Sequence, residues 1–188
     1  MLTLKTMANL LSLSLICCLL ASCFKPPFNE FKSRSPILSL TDSENTLIKK
    51  LNKRSIQVIH YGKTTTVIIP TDRYFIFDSA ELNETCYAGL YDLKELVKKQ
   101  RKKAIYVAAF TDNVGSIEHK EKLSHARAQT ILTFLWANGI PAHYLNAKGF
   151  GDEYTVGNNK LIHGSAYNRR IEIQWSDRPC TSACEVTK

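Results

Sequence analysis

Apolar and polar residues follow distinct rhythms along this chain. Residues 56–60 and 64–69 are rich in β-branched side chains and flank Gly62-Lys63, which predicts a hairpin ended by Pro70. Residues 74–77 form a short aromatic stretch before a turn at Asp78-Ser79. Cys86, Leu90, Leu93 and Val97 then recur at helical spacing, so residues 81–99 are expected to form a helix with Lys98 and Lys99 at its negative end. The continuous apolar run 104–110 predicts a central strand buried on both faces. After a polar turn at 111–115, Ser116 can cap a second helix reaching about Asn138, where Gly139 and Pro141 stop it. Residues 143–148 read as a strand, and Gly149-Phe150-Gly151 opens an irregular stretch to about Tyr167. Ile171, Ile173 and Trp175 alternate with Glu172 and Gln174, the signature of a half-buried strand. Upstream, Thr41-Asp42-Ser43-Glu44 forms a capping box for a short helix to about Lys53. The order β-β-α-β-α-β-β predicts an α+β sandwich with helices on one face of a mixed sheet.

One residue breaks the rhythm of the second helix. Leu123, Arg127 and Ile131 share a stripe that Phe134 and Leu135 continue. An arginine there cannot shed its charge, and left unpaired in a poorly solvated place it costs on the order of several kcal/mol. Asp112 is the local candidate partner, just beyond the C-terminal end of the buried strand, where crevices open in α/β arrangements. The residues leave two arrangements open. Asp112 and Arg127 form an internal ion pair, or they flank a pocket that holds a zwitterion. In the second case the carboxylate takes an ammonium, and the guanidinium offers its planar fork to a carboxylate.

Composition narrows the rest. His119 and His125 stand six apart and do not share a helix face as metal ligands would. Ser124 and Ser165 have no adjacent base, and there is no glycine-rich phosphate loop or glycosidase-like carboxylate pair. A binding domain without catalytic residue, metal or cofactor is therefore expected, and not an enzyme. Residues 1–22 carry one charge, Lys5, ahead of an apolar run too short for a stable membrane span, as in a signal peptide. Residues 24–41 hold three prolines and read as an extended tether. Without Lys5 the formal charge of +8 becomes +7, which suits anionic neighbours such as wall peptides or phospholipid head groups. Of six cysteines, Cys17 and Cys18 leave with the leader, while two of Cys86, Cys180 and Cys184 can pair in an oxidising compartment. The spacing of Cys180 and Cys184 alone does not make a metal site.

Two resemblances sharpen this reading. Leu20-Ala21-Ser22-Cys23 resembles the bacterial lipobox, which implies that Cys23 is the lipidated first residue of the mature chain. Phe24, in place of an aspartate, favours sorting to the outer membrane, with the domain facing the periplasm. Nucleic acid is then not an expected partner. The second resemblance rests on the stretch 67–82, which looks like the family's first strand and loop at 75–82, and on four motifs, taken in order. They are Thr111-Asp112-x-x-Gly115, Leu123-Ser124-x-x-Arg127-Ala128, Gly149-Phe150-Gly151, and Gly164-x-x-x-Asn168-Arg169-Arg170-Ile171-Glu172-Ile173. Together, over roughly residues 67–175, they are similar to the OmpA-like peptidoglycan-binding domain. That implies an OmpA C-terminal-like β-α-β-α-β sandwich that grips the peptide stem of peptidoglycan non-covalently. By position, Asp112 would take the ammonium of diaminopimelate and Arg127 its carboxylate. Thr111 and Leu123 would line the site, Asp78 and Ser79 would form the opposite rim, and Asn168 and Arg169 would either touch ligand or brace the last loop. The chain departs from the family's pattern at Lys120 (usually asparagine), Thr155 (proline), Ser165 (arginine) and Ala109-Phe110 (Gly-His). The change at Lys120 would loosen the turn that shapes the pocket. The expected organisation is a signal peptide at 1–22 and a lipidated N-terminus, tether and short helix at 23–55. The binding domain follows at 56–175 and a tail at 176–188. Size and layout are also similar to those of small lipoproteins of type IVB secretion systems, so a structural subunit of such an envelope complex is the alternative role.

Overall fold

The computed structural model describes residues 41–100 and 103–176. The signal peptide, Cys23, the tether, Cys180, Cys184 and nearly all of the tail lie outside these residues. The described elements are α1 (Asp42–Lys53), β1 (Gln57–Tyr61), β2 (Thr64–Pro70), a one-turn α2 (Thr71–Tyr74) and α3 (Tyr87–Lys98). They continue with β3 (Ile105–Ala109), α4 (Ile117–Ala137), β4 (Leu145–Gly149), α5 (Ile162–Asn168) and β5 (Arg170–Ser176).

The strands form one mixed sheet in the order β1-β2-β5-β3-β4, antiparallel except for the parallel β3–β4 pair. Its register aligns three apolar rows. Ile69, Ile171 and Ala109 form one, Val67, Ile173 and Val107 the next, and Thr65, Trp175 and Ile105 the last. All are buried, and the apolar members join one core with Leu51 of α1, Leu90 and Leu93 of α3, and Ile131 and Leu135 of α4. Burying each such leucine or isoleucine contributes about 1.5–3 kcal/mol. The opposite face carries half-buried Thr66, Ile68, Tyr106, Glu172 and Gln174. The alternation of residues 171–175 thus marks the inner strand β5, and not an edge.

Local chemistry sets most boundaries. Both reciprocal bonds of the Thr41–Glu44 capping box are present, and Ser116 caps α4 by accepting from the His119 amide. Gly139 takes a left-handed backbone (φ +91°) just past α4. α3 starts later than the sequence suggests. Residues 74–83 first fold back on themselves, with Phe75 bridged to Leu82 and Ile76 N–H bonded to the Glu81 carbonyl. A 3-10 turn at Glu84–Cys86, capped by Asn83, then leads into the helix. β4 likewise follows a 3-10 turn at Ala142–Tyr144. The stretch after Gly151 is not wholly irregular, because α5 lies within it.

α1 runs antiparallel to α3. Glu44 meets Gln100 at one end, and Arg54 meets Asp92 at the other. α1 therefore starts near the C-terminal end of α3, while Arg54 reaches the opposite end, where its carbonyl accepts from Tyr74.

Candidate functional site

The second end of the sheet gathers the charged residues. β3 delivers Thr111 and Asp112, the C-terminus of α5 delivers Asn168 and Arg169, and α4 carries Leu123 and Arg127 across from the 75–82 loop. A chain of bonds fixes this arrangement. The Ser124 hydroxyl donates to the Glu121 carbonyl and accepts from Gly151 N–H (2.9 Å). The Gly151 carbonyl in turn accepts from Thr111 N–H (2.7 Å). Gly149 allows it: a Cβ there would strike the His125 amide nitrogen and lie 2.5 Å from the Ser124 hydroxyl. Hence the Gly149-Phe150-Gly151 motif, which seats β4 directly on the α4 backbone.

Asp112 and Arg127 are both buried, at 8% and 6% exposure, but they do not bond to each other. Asp112 Oδ1 accepts from Val114 N–H (3.1 Å), and Oδ2 accepts from Arg169 Nη1 (2.6 Å). Arg127 donates through Nε to the Ser79 carbonyl (2.8 Å) and lies over the Phe75 ring at 5.5 Å. Among the described residues Arg127 has no carboxylate within ion-pair distance, and its two Nη groups have no protein acceptor. An internal Asp112–Arg127 pair is therefore not what the fold contains. Burial pulls the Arg127 guanidinium below its ordinary value, opposed by the nearby Asp72 and Asp78 carboxylates. This is a mostly buried cation held by a carbonyl and a ring, with both Nη groups accessible from the cleft.

The other expected site residues divide. Thr111 is buried, and its hydroxyl donates to the Asp112 carbonyl. Leu123 is half-buried on α4. Ser79 contributes its carbonyl, and Asp78 Oδ1 accepts a hydrogen bond from His119 Nε2 at 2.8 Å, tying the rim loop to α4. Arg169 sits in the cleft. Asn168 does not: it is fully buried, its Oδ1 accepts from the Val156 and Gly157 amides, and its Nδ2 donates to the Gly157 carbonyl and Asn159 Oδ1. It braces the loop before α5. Asn168→Ala would strand two amides and is expected to cost about 2–3 kcal/mol in denaturant unfolding. Arg170 is also a brace, stacked 4.0 Å from Phe110 and bonded to Glu172.

Two residues change the expected picture. Lys120 was expected to loosen the turn; instead it is buried, and its Nζ donates to Asp152 Oδ2 at 2.6 Å, tying α4 to the 150–153 turn. That contact holds the Asp152 carboxyl below its usual range. Asp72 escaped sequence reasoning. It lies in the one-turn α2, just after Thr71, and takes Nε and Nη2 of Arg169 at 2.7 and 2.6 Å. An acidic residue two positions past a strand-ending proline, at the strand end that pairs with Arg170, was the available signal.

Fold and cleft together define a small α+β domain with a charged cleft at the ends of its strands. The profile of the OmpA family matches residues 74–169, slightly more than half of the chain, and the chain belongs to that family. It is 31% identical to outer membrane porin F of Pseudomonas aeruginosa over 109 residues, covering 57% of this chain and 31% of the porin. It is 27% identical to the probable lipoprotein YiaD of Escherichia coli over 133 residues, covering 71% of this chain and 61% of YiaD. The chain thus spans less than two thirds of either relative. Among solved structures, it is similar to the cell wall anchor of the T6SS from Pseudomonas aeruginosa. That likeness has a TM-score of 0.64 and 26% identity, over 70% of this chain and 94% of that one. A MotB-like protein from Desulfovibrio vulgaris shares the fold at TM-score 0.61 and 21% identity, over 74% and 99% of the two chains.

Proposed function

We propose that this chain grips the peptide stem of peptidoglycan non-covalently in the Asp112–Arg127 cleft, and that a lipid on Cys23 ties the outer membrane to the wall. One observation carries the first half. Arg127 is buried and its two Nη groups have no acceptor among the described residues, beside an Asp112 carboxylate that main chain and Arg169 hold still. The diaminopimelate centre of a stem peptide supplies what this pair lacks: a carboxylate for the fork and an ammonium for Asp112. Arginine can make two parallel bonds to that carboxylate, which fixes orientation as well as affinity. The likeness to a cell wall anchor supports the reading, and the same grip would serve a larger envelope assembly equally well. The Leu20–Cys23 motif and the similarity to a lipoprotein support the lipid.

Sedimentation with insoluble wall sacculi tests it, using the chain expressed from residue 24. The protein is expected to pellet with intact sacculi and to stay in the supernatant with sacculi whose peptide stems an amidase has removed. Protein left in solution with intact sacculi overturns the wall-binding role. Pelleting with both overturns the peptide as its ligand.

A further inference from the structure

Asp72 was not among the residues expected at the cleft, yet it makes two of the three ionic contacts of Arg169. The backbone holds this arrangement in place. Thr71, next to Asp72, donates both its amide (3.0 Å) and its hydroxyl (3.1 Å) to the Arg169 carbonyl. Arg169 is left with a single bond to Asp112, through Nη1. Each Asp112 oxygen accepts one bond, from Val114 N–H or from Arg169. An ionised carboxylate has about four acceptor positions, so each oxygen keeps one for a further donor.

Among the described residues Arg127 and Arg169 bring two guanidiniums to the cleft, facing Asp72 and Asp112, with Asp78 on the rim held by His119. A zwitterionic ligand adds one charge of each sign and leaves the net charge unchanged. Were Asp72 uncharged, Arg169 would have Asp112 as its one remaining anion. Its fork would turn there, and the cleft would lose one negative charge beside Asp112. Such a site gains for a carboxylate and loses for an ammonium.

On the peptidoglycan reading above, we propose that Asp72 is a specificity-determining residue: it engages Arg169 so that Asp112 stays open to an ammonium, and thereby makes the cleft select an amino-acid centre over a simple carboxylate. The Asp72 side chain is about half exposed (48%), so salt screens its charge, and the selection is strongest at low ionic strength.

The test uses the full chain in detergent micelles at low salt, titrated calorimetrically with two peptides. One is a stem tripeptide ending in meso-diaminopimelate; the other is the same peptide with the side-chain ammonium acetylated, so that the adjacent carboxylate remains. Wild type is expected to favour the first by about tenfold or more, the worth of one charge-assisted bond. In Asp72→Asn the preference is expected to shrink to about twofold, the free peptide weakening and the acetylated one holding or gaining. Asp72→Glu keeps the charge and is expected to keep the preference. An unchanged preference in Asp72→Asn, an equal loss for both peptides, or loss of preference in Asp72→Glu overturns the inference. Wild type that binds neither peptide overturns the function on which it rests, and the inference falls with it.

Discussion

Arg127→Leu is expected to abolish binding to peptidoglycan and, at the same time, to raise the melting temperature of the chain. The two effects have one origin. Arg127 is 6% exposed and has no carboxylate within ion-pair distance among the described residues, so the ligand-free fold carries a charge that water solvates poorly. Replacing such a cation by an apolar side chain of similar volume removes that penalty and adds apolar contact with Phe75, for a gain of about 1 kcal/mol. Against this stands the loss of one bond to the Ser79 carbonyl, which is half-buried and can bond to water instead. Binding responds in the other direction. Removing one partner of a buried, hydrogen-bonded charge pair costs about 2–5 kcal/mol, roughly 30-fold to several thousand-fold in affinity. Arg127→Lys keeps the charge but not the fork, and is expected to fall between the two. Sedimentation with sacculi and thermal melting by circular dichroism read both effects on the same protein. A variant that melts well below wild type would make Arg127 a structural residue, and one that still binds would remove it from the site.

The second large effect concerns a residue with no side chain. Gly149→Ala is expected to destabilise the domain by about 3 kcal/mol, roughly a 10 °C fall in melting temperature for a domain of this size. The methyl group would meet the His125 amide and lie 2.6 Å from the His125 Cα and 2.5 Å from the Ser124 hydroxyl. Two of these contacts are helix backbone, which cannot rotate away as a long side chain can. To admit the methyl, α4 must lift from β4, and the Ser124–Gly151 bond is the first to be lost. Gly151 in turn holds Thr111, so wall binding should weaken even where the variant remains folded. Urea unfolding gives the stability change directly. A loss below about 1 kcal/mol would mean that the two elements separate freely.

How much of this was legible beforehand depends on the range of the interaction. α1, the β1–β2 hairpin and the ends of α4 could be read because capping, turn and left-handed glycine chemistry act within a few residues. The start of α3 was misplaced because Phe75 and Leu82 pair across a small loop, a tertiary contact that overrides local helical preference. α5 was missed because it is seven residues long, has no side-chain cap and carries no apolar stripe. Its reason to exist is Gly164, where a Cβ would collide with the Asn158 carbonyl. In the cleft, Arg127 stood out because a charge in an apolar row conflicts with its own helix. Its lack of an ion-pair partner among the described residues did not show, since Arg169 takes Asp112 from 57 residues away. Asp72 had no such conflict to betray it: an acid in the first turn of a helix is ordinary, and its partner lies 97 residues on.

The antiparallel course of α1 against α3 places the start of α1 at the end of the sheet away from Asp112 and Arg127. On the proposed function, a pull between the start of α1 and a ligand held in the cleft would run along the strands. Sheet hydrogen bonds lie across the strand direction, so such a pull loads them in shear, many at once, instead of opening them one after another. β5, which leads directly from Arg169 and is bonded along its length to β2 and β3, takes much of that load. The geometry suits a part that must bear sustained tension without unravelling.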